Sequence, residues 1–171
     1  MFIEAIVISL IIGFIRGGKL RGFRRLNKVT TLLFILGAVV QYLISSIGQF
    51  ADASSVELIL RYIKPIQILS YLLILVGLLT NYRVRSIWPV LVGYILNFIS
   101  LVSNGWLMPD LVANEVENVK LAFLGKTIQF FEPYPLPKLI SLGDLIIAFG
   151  IFSLIQEMML SDDGYRTSYR F

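Results

Sequence analysis

The chain has 171 residues, of which 57% are hydrophobic and 15% are charged, and its mean hydropathy is +0.80. A soluble domain is usually about half apolar and about a quarter charged, so this composition favours a membrane protein. Cysteine and histidine are absent, which excludes disulfides, thiolate metal sites and histidine acid–base chemistry. The net charge of +4 is distributed in a way that predicts contact with a membrane surface and not with nucleic acid.

Apolar segments predict an all-α integral membrane protein in which residues 1–171 form a single transmembrane helical domain. A helix needs roughly 20 apolar residues to cross a bilayer core. Two segments reach that length without interruption, two are short, and the last carries an acid near each end. The sequence therefore predicts a bundle of about five transmembrane helices, at residues 1–15, 29–50, 66–80, 87–108 and 139–160.

The distribution of lysine and arginine predicts the orientation of these helices. Cytoplasmic loops are enriched in these residues, and the loop after the first helix holds six of them, Arg16, Lys19, Arg21, Arg24, Arg25 and Lys28. Because the positive charges follow the first apolar segment, that segment is predicted to be a retained helix and not a cleaved signal peptide. The protein is expected in a bacterial plasma membrane, with its N-terminus outside and its C-terminus cytoplasmic.

The outer connections are predicted to hold short interfacial helices. The segment Ser54-Ser-Val-Glu57 has the pattern of a capping box, which would begin a short helix before Pro65. Apolar residues recur at helical spacing between Asp110 and Phe123, which predicts an amphipathic helix at the membrane surface. The segment Glu132–Pro137 contains three prolines and favours an extended path.

Four polar residues are candidates for a ligand-binding site: Asn97, Asn104, Ser141 and Asp144. Ionisable groups within a membrane are expensive to bury and often mark function, and Asp144 is the strongest such case. Its alternative interpretation is a helix cap, because Ser141-Leu-Gly-Asp144 is an S-x-x-D pattern at a helix start. Asn97 and Asn104 lie seven residues apart on one helix face, where they either join helices by hydrogen bonds or form a polar ligand-binding stripe.

The six basic residues of the first loop are interpreted as contacts to lipid headgroups. The glycines among them suggest a phosphate-binding loop, but the spacing G-x-x-x-x-G-K-[ST] is missing. A basic loop next to a membrane helix binds anionic lipids through its charge alone. The expected partners are therefore anionic lipids on the cytoplasmic side and another membrane protein. No cofactor, metal site or nucleic-acid partner is predicted.

Several short motifs resemble a family of small Firmicute integral membrane proteins of unknown function. These are Arg16-Gly-Gly-Lys-Leu20, Asn97-Phe98, Asn104-Gly105 with Met108-Pro109, Leu124-Gly125 and Ser141-Leu-Gly-Asp144. The chain has Trp106 where a second glycine is expected and Asp110 where a small apolar residue is usual. The resemblance covers nearly the whole chain and implies a fold and a Gram-positive plasma-membrane location, but no activity.

Three functional hypotheses follow from the sequence. The first is a non-enzymatic accessory or scaffold protein that packs with a larger membrane partner. The second is a small transport or ligand-binding module with an outward-facing polar site at Asn97, Asn104 and Asp144. The third is an intramembrane enzyme that uses an aspartate pair, for which Asp110 and Asp144 are the candidates. The scaffold is favoured, because no catalytic or cofactor motif is recognisable in the sequence.

Overall fold

A computed structural model describes residues 2–26, 28–50, 53–106, 108–111, 119–130 and 138–161 of the chain. The α-helices of this described part are α1 (Phe2–Ile15), α2 (Lys28–Phe50), α3 (Ala53–Thr80), α4 (Ile87–Ser103) and α5 (Leu142–Leu160). Its strands are β1 (Lys126–Phe130) and β2 (Lys138–Ser141), and 3-10 helices occur at Leu20–Arg25 and Ala122–Leu124. The mainly helical class is thus confirmed. The chain divides into two compact units, Leu26–Tyr82 and Met1–Arg25 with Arg83–Phe171.

The smaller unit is the helical hairpin of α2 and α3. The helices approach closely at Gly37, where a Cβ would lie 2.9 Å from the Ser70 carbonyl oxygen and 2.7 Å from Cγ1 of Ile74. Ile74 and Leu78 are buried. The end of α3 is held by Asn81, whose Nδ2 donates to the Gly77 carbonyl at 2.8 Å.

Helix α3 corrects the prediction of a separate interfacial helix before Pro65. The backbone from Ala53 to Thr80 is one continuous helix of 28 residues, with Pro65 inside it. Proline removes one backbone hydrogen bond but does not end a helix whose other turns remain bonded. The predicted segment 66–80 is therefore the second part of a longer helix.

The larger unit is built around α5, which packs against both α1 and α4. Helix α4 is antiparallel to α5, because Ser86 lies beside Glu157 and Asn97 beside Asp144. Helix α1 is parallel to α5, since Ala5 and Leu145 line one groove while Gly13 meets Met159. We call the end of this unit with residues 16–25, 83–86 and 157–161 the basic end. The opposite end, with residues 104–111, 119–130 and 138–144, is the hairpin end.

Glycines bring the backbones of α4 and α5 together. A Cβ on Gly93 would lie 2.6 Å from the carbonyl oxygen of Gly143 and 2.9 Å from the backbone nitrogen of Ile147. A Cβ on Gly150 would lie 2.6 Å from the backbone nitrogen of Val90. Small residues at such positions let membrane helices approach closely and gain dispersion contacts.

Two β-strands lie at the hairpin end, and the second of them overlaps the start of a predicted membrane helix. Strands β1 and β2 are antiparallel, with Ile128 opposite Ile140 and Phe130 opposite Lys138. The predicted membrane segment 139–160 therefore begins as a strand and becomes helical only at Leu142. Hydropathy does not separate the two, because Leu139 and Ile140 continue the apolar composition of the helix.

The predicted amphipathic helix between Asp110 and Phe123 is wrong at its described ends. Asp110 forms a parallel β-bridge to Lys126, and residues 122–124 form a 3-10 turn. Residues 112–118 of that segment and the predicted extended path at 132–137 lie outside the described residues.

Helix α4 ends at Ser103, five residues before the predicted limit at residue 108. The chain turns through Gly105 and Trp106, which both adopt a left-handed conformation with φ of 69° and 70°. Left-handed φ is common for glycine and costs other residues roughly 1–2 kcal/mol. The expectation of a glycine at position 106 thus has a physical basis, and the Trp106 ring packs edge-on against Phe98 at a centroid distance of 6.0 Å.

Among the described residues, α5 is long and apolar enough to cross a membrane by length and composition. The remaining apolar helical segments are shorter: Phe2–Ile15, Thr31–Gln41, Lys64–Thr80 and Ile87–Ser103. Each of the five predicted membrane segments thus overlaps a helix of the structure, and five membrane crossings remain a proposal.

Candidate functional site

The start of α5 is a capping box, which confirms the cap interpretation of Asp144. The Asp144 N–H donates to Oγ of Ser141 at 3.0 Å, and the Ser141 N–H donates to Oδ2 of Asp144 at 3.1 Å. These bonds satisfy backbone donors that a helix start leaves without an intrahelical partner. The carboxylate in the first turn also complements the positive end of the helix dipole.

Asn97 of α4 joins this capping box and completes a three-residue cluster. Its Nδ2 donates to Oδ1 of Asp144 at 2.8 Å, and its Oδ1 accepts from Oγ of Ser141 at 2.8 Å. Asn97 and Ser141 are buried. Gly143 makes the arrangement possible, because a Cβ there would overlap the Asn97 side chain. We call Asn97, Ser141 and Asp144 the cap cluster.

The hydrogen bonds of the cap cluster mainly link α4 to the start of α5. Each oxygen of Asp144 accepts a bond from within the cluster, and the Ser141 hydroxyl both donates and accepts. A carboxylate has about four acceptor positions, so Asp144 keeps some capacity for another donor. Asp144 is only partly buried, which leaves that capacity reachable from outside the unit.

Asn104, the fourth candidate, bonds to a different partner. Its Nδ2 donates to the carbonyls of Ser100 at 2.8 Å and Lys120 at 2.9 Å, and its Oδ1 accepts from the Lys120 N–H at 3.0 Å. The amide thus pairs with the Lys120 backbone as a neighbouring strand would. Asn104 fastens the connection after α4 to the helix end, while the other three candidates form the cap cluster.

Ser100 lies between the two asparagines on α4 and is fully buried. Within the described part of the chain, its hydroxyl has no hydrogen-bond partner. A buried hydroxyl without a partner costs free energy because its hydration is lost and not replaced. This serine therefore differs from Ser141, whose hydroxyl makes two hydrogen bonds.

Only some of the basic residues predicted to contact lipid headgroups line a common cavity. Arg16, Lys19 and Arg21 line a cavity of about 330 Å³ at the basic end, together with Gly17, Gly22 and the last residues of α5. Arg24 is exposed on the 3-10 helix of the same loop. Lys28 is exposed at the start of α2, in the smaller unit, and the Arg25 side chain lies outside the described residues.

A family model described as "Family of unknown function (DUF5317)" matches residues 25–116 and 110–156 of the chain. The match covers more than half of the sequence. The chain belongs to the DUF5317 family. No curated protein and no solved structure matches the chain significantly. Family membership is consistent with the resemblance inferred from the sequence and brings no assigned activity.

Sequence reasoning missed two polar links of α5 in this DUF5317 chain, one with α1 and one with the start of α4 at the basic end. Gln156 of α5 donates from Nε2 to the carbonyl of Ser9 at 2.6 Å, and Ser9 Oγ donates to the Phe152 carbonyl at 2.9 Å. The Glu157 carboxylate accepts from the Ser86 N–H at 2.9 Å and from its hydroxyl at 2.6 Å, which caps α4. In the sequence these are isolated polar residues within apolar helices, and such residues usually bond to a neighbouring helix. Their partners lie 71 to 147 residues away.

Proposed function

We propose that this chain is a multi-pass membrane protein of a bacterial plasma membrane that acts as a non-enzymatic accessory or scaffold protein. It has five membrane-crossing helices, the first of which starts on the outer side, and it packs against a larger membrane partner. The proposal assigns the hairpin end to the outer face and the basic end to the cytoplasmic face.

The observation that carries the proposal is the large amount of exposed apolar surface on the larger unit. Large apolar side chains point outward on α1 and α5, with exposed fractions of 71% for Ile3, 79% for Ile15 and 63% for Phe149. Ser9 and Ser141, in contrast, are completely buried. A soluble protein would bury such apolar residues, and contiguous exposed apolar surface marks contact with lipid or another protein.

The directions of the helices support the proposed orientation. The end of α1, the start of α4 and the end of α5 share the basic end, which is what a bundle starting outside requires. The same end holds the arginines that follow α1 and those that precede α4: Arg16, Arg21, Arg24, Arg83 and Arg85. Positive residues concentrate on the cytoplasmic side of membrane proteins.

Helices α1 and α4 are shorter than the hydrocarbon core of a bilayer is thick. The 14 residues of α1 extend about 21 Å and the 17 residues of α4 about 26 Å, against a hydrocarbon core of about 30 Å. Short helices are accommodated by local thinning of the bilayer and by long polar side chains that reach the interface. Arg16, at the end of α1, has a side chain long enough to reach the interface in this way.

The hydrogen bonds between helices favour a scaffold over a transporter or an enzyme. The buried amides and carboxylates described above mainly bond to other parts of the same unit, which makes the helices rigid. Oδ1 of Asp144 accepts from Asn97 and Oδ2 accepts from the Ser141 N–H, so both oxygens of this carboxylate already take part in local hydrogen bonds.

Site-specific photocrosslinking in native membranes tests the scaffold. A photoreactive residue at Phe123, which is 63% exposed at the hairpin end, should crosslink to one recurring membrane protein in stoichiometric yield. The same group at Leu20, exposed at the basic end, serves as the matched control for general proximity. Crosslinks to lipid alone, or the same scattered products from both positions, would contradict a specific partner at the hairpin end.

A second candidate is a ligand-binding module, because three of the four predicted ligand residues meet in the cap cluster. Thermal-shift screening of the purified protein tests it, since a ligand stabilises the state that it binds. Asn104→Ala is the control, because Asn104 lies outside the cluster. A ligand whose shift persists in both Asp144→Asn and Asn104→Ala proteins would not bind at the cluster.

A further inference from the structure

The cavity at the basic end is formed by a loop whose backbone is pressed against α5. The Lys19 N–H donates to the Met159 carbonyl at 2.8 Å, which joins the loop to the last turn of that helix. Gly18 and Gly22 permit the contact, because a Cβ at either position would collide with the backbone or side chains of Met158 and Met159. The loop is therefore held in one conformation by contacts that larger residues could not make.

Arg16 is positioned by a buried network and not only by its own helix. Its Nη1 donates to Oε1 of Gln156 at 3.2 Å, and Nε2 of Gln156 donates to the carbonyl and hydroxyl of Ser9. Gln156 and Ser9 are 8% and 0% exposed. One nitrogen of the guanidinium is thereby used as an anchor, and the remaining N–H groups are left for another acceptor.

Three of the last four carbonyls of α5 already accept hydrogen bonds. The carbonyls of Glu157, Met158 and Met159 accept hydrogen bonds from the Ser161 N–H, the Ser161 hydroxyl and the Lys19 N–H. The Glu157 carboxylate is occupied by Ser86 and does not line the cavity. Acceptors that would repel an anion are thus bonded, while the cations Arg16 and Lys19 stay exposed.

We infer that this cavity is a discrete binding site for a phosphate group, with Arg16 and Lys19 as its main ligands. Arginine binds phosphate through several N–H groups of fixed geometry, and lysine adds a compact positive charge. The cavity of about 330 Å³ has room for the headgroup of a phospholipid as well as for free phosphate. This inference does not depend on the scaffold role, and it separates two cations from the diffuse lipid-binding loop predicted from the sequence.

The alternative is that these cations only offset the dipoles of α1 and α5 or attract membranes through their summed charge. Both effects depend on the number and position of the charges, and neither distinguishes an arginine from a lysine at the same position. A specific phosphate site instead requires the guanidinium group of Arg16, held in place by its hydrogen bond to Gln156. A conservative substitution therefore distinguishes the two explanations.

Two binding arms identify the source of the phosphate. In the first, inorganic phosphate is titrated into detergent-purified full-length protein by calorimetry. In the second, phosphatidylglycerol binding is counted by native mass spectrometry on protein released from nanodiscs, with phosphatidylcholine nanodiscs as reference. Binding in the first arm indicates that free phosphate suffices, and a single retained phosphatidylglycerol without the first result indicates a lipid headgroup.

Two variants change the cavity: Arg16→Lys keeps the charge, and Lys19→Gln removes one. The control is Arg24→Gln, which removes a charge of the same loop outside the cavity. We expect Arg16→Lys and Lys19→Gln each to weaken binding at least tenfold and Arg24→Gln to change it less than about twofold. Gln156→Met, which preserves charge and removes the anchor, should also weaken binding in protein that keeps its helical circular dichroism. Equal losses for Lys19→Gln and Arg24→Gln with no loss for Arg16→Lys, or no binding in either arm, would overturn the site.

Discussion

Ser100 and Ser141 show how much the contribution of a residue depends on its hydrogen bonds. Both serines are fully buried in the larger unit. The Ser141 hydroxyl accepts from the Asp144 N–H and donates to Asn97, whereas the Ser100 hydroxyl has no partner in the described part of the chain. The same chemical change at the two positions should therefore have different consequences.

Replacing each serine with alanine tests this difference. We expect Ser141→Ala to destabilise the protein by about 1–2 kcal/mol, because a helix cap is lost and a buried asparagine oxygen loses its donor. Ser100→Ala should change stability by no more than about 0.5 kcal/mol, or raise it, because an unsatisfied buried group disappears. Thermal unfolding in detergent, followed by circular dichroism, measures both. Equal destabilisation by the two substitutions would show that the cap cluster contributes little.

At the scale of elements, the contact between α4 and α5 depends on the absence of side chains. Gly93, Gly143 and Gly150 bring backbone within van der Waals distance of backbone, and the cap cluster fixes the register at one end. The Glu157–Ser86 contact fixes it at the other end. Because polar links sit at both ends and glycines between them, the pair has one strongly preferred alignment.

Adding a single carbon to this contact should separate the helices. Gly93→Ala places a methyl group against the Gly143 carbonyl, which cannot move without shifting α5, so we expect a loss of about 1–3 kcal/mol. Val92→Ile is the matched control, because it adds one methyl group on the exposed face of the same helix and should cost less than about 0.5 kcal/mol. Thermal unfolding of both variants in one detergent provides the comparison. Similar stabilities would mean that the helices can part here without cost.

At the scale of the whole molecule, the two ends of the larger unit differ in charge, and this difference underlies the proposed orientation. The basic end holds most of the described positive residues of the larger unit, and the hairpin end carries both acids and lysines, including Asp110, Lys120 and Lys126. Exposed apolar residues cover α1, α4 and α5 between these ends. Such a surface is stable when lipid or a membrane partner covers it.

Cysteine labelling tests that orientation directly, because the chain contains no cysteine. A membrane-impermeant maleimide added to intact cells should label Lys120→Cys, at the hairpin end, without permeabilisation. Arg24→Cys should be labelled only after the membrane is opened, because the proposed orientation places the basic end on the cytoplasmic side. Gel shifts measure both reactions. Labelling of Arg24→Cys in intact cells would reverse the assigned orientation.

The sequence by itself determined the helical class, the approximate position of the helices and the cap at Ser141 and Asp144. These properties are local: apolar composition over a helix length, and a capping pattern within four residues, are both readable from neighbouring positions. The concentration of charge that defines the basic end was also visible, since it requires only counting along the chain. Local reasoning failed at the hairpin, because a short apolar strand directly before an apolar helix has the same hydropathy.

Only the tertiary structure decided which polar residues meet. Asn97 with Asp144, Ser86 with Glu157 and Ser9 with Gln156 join positions separated by 47, 71 and 147 residues. No periodicity within one helix specifies a partner on another, because partner choice depends on helix direction, rotation and close approach at glycines. For the same reason the candidate site changed from four predicted residues to a three-residue cluster, with Asn104 bonded elsewhere. The cavity around Arg16 and Lys19 likewise exists only because the loop folds back onto α5.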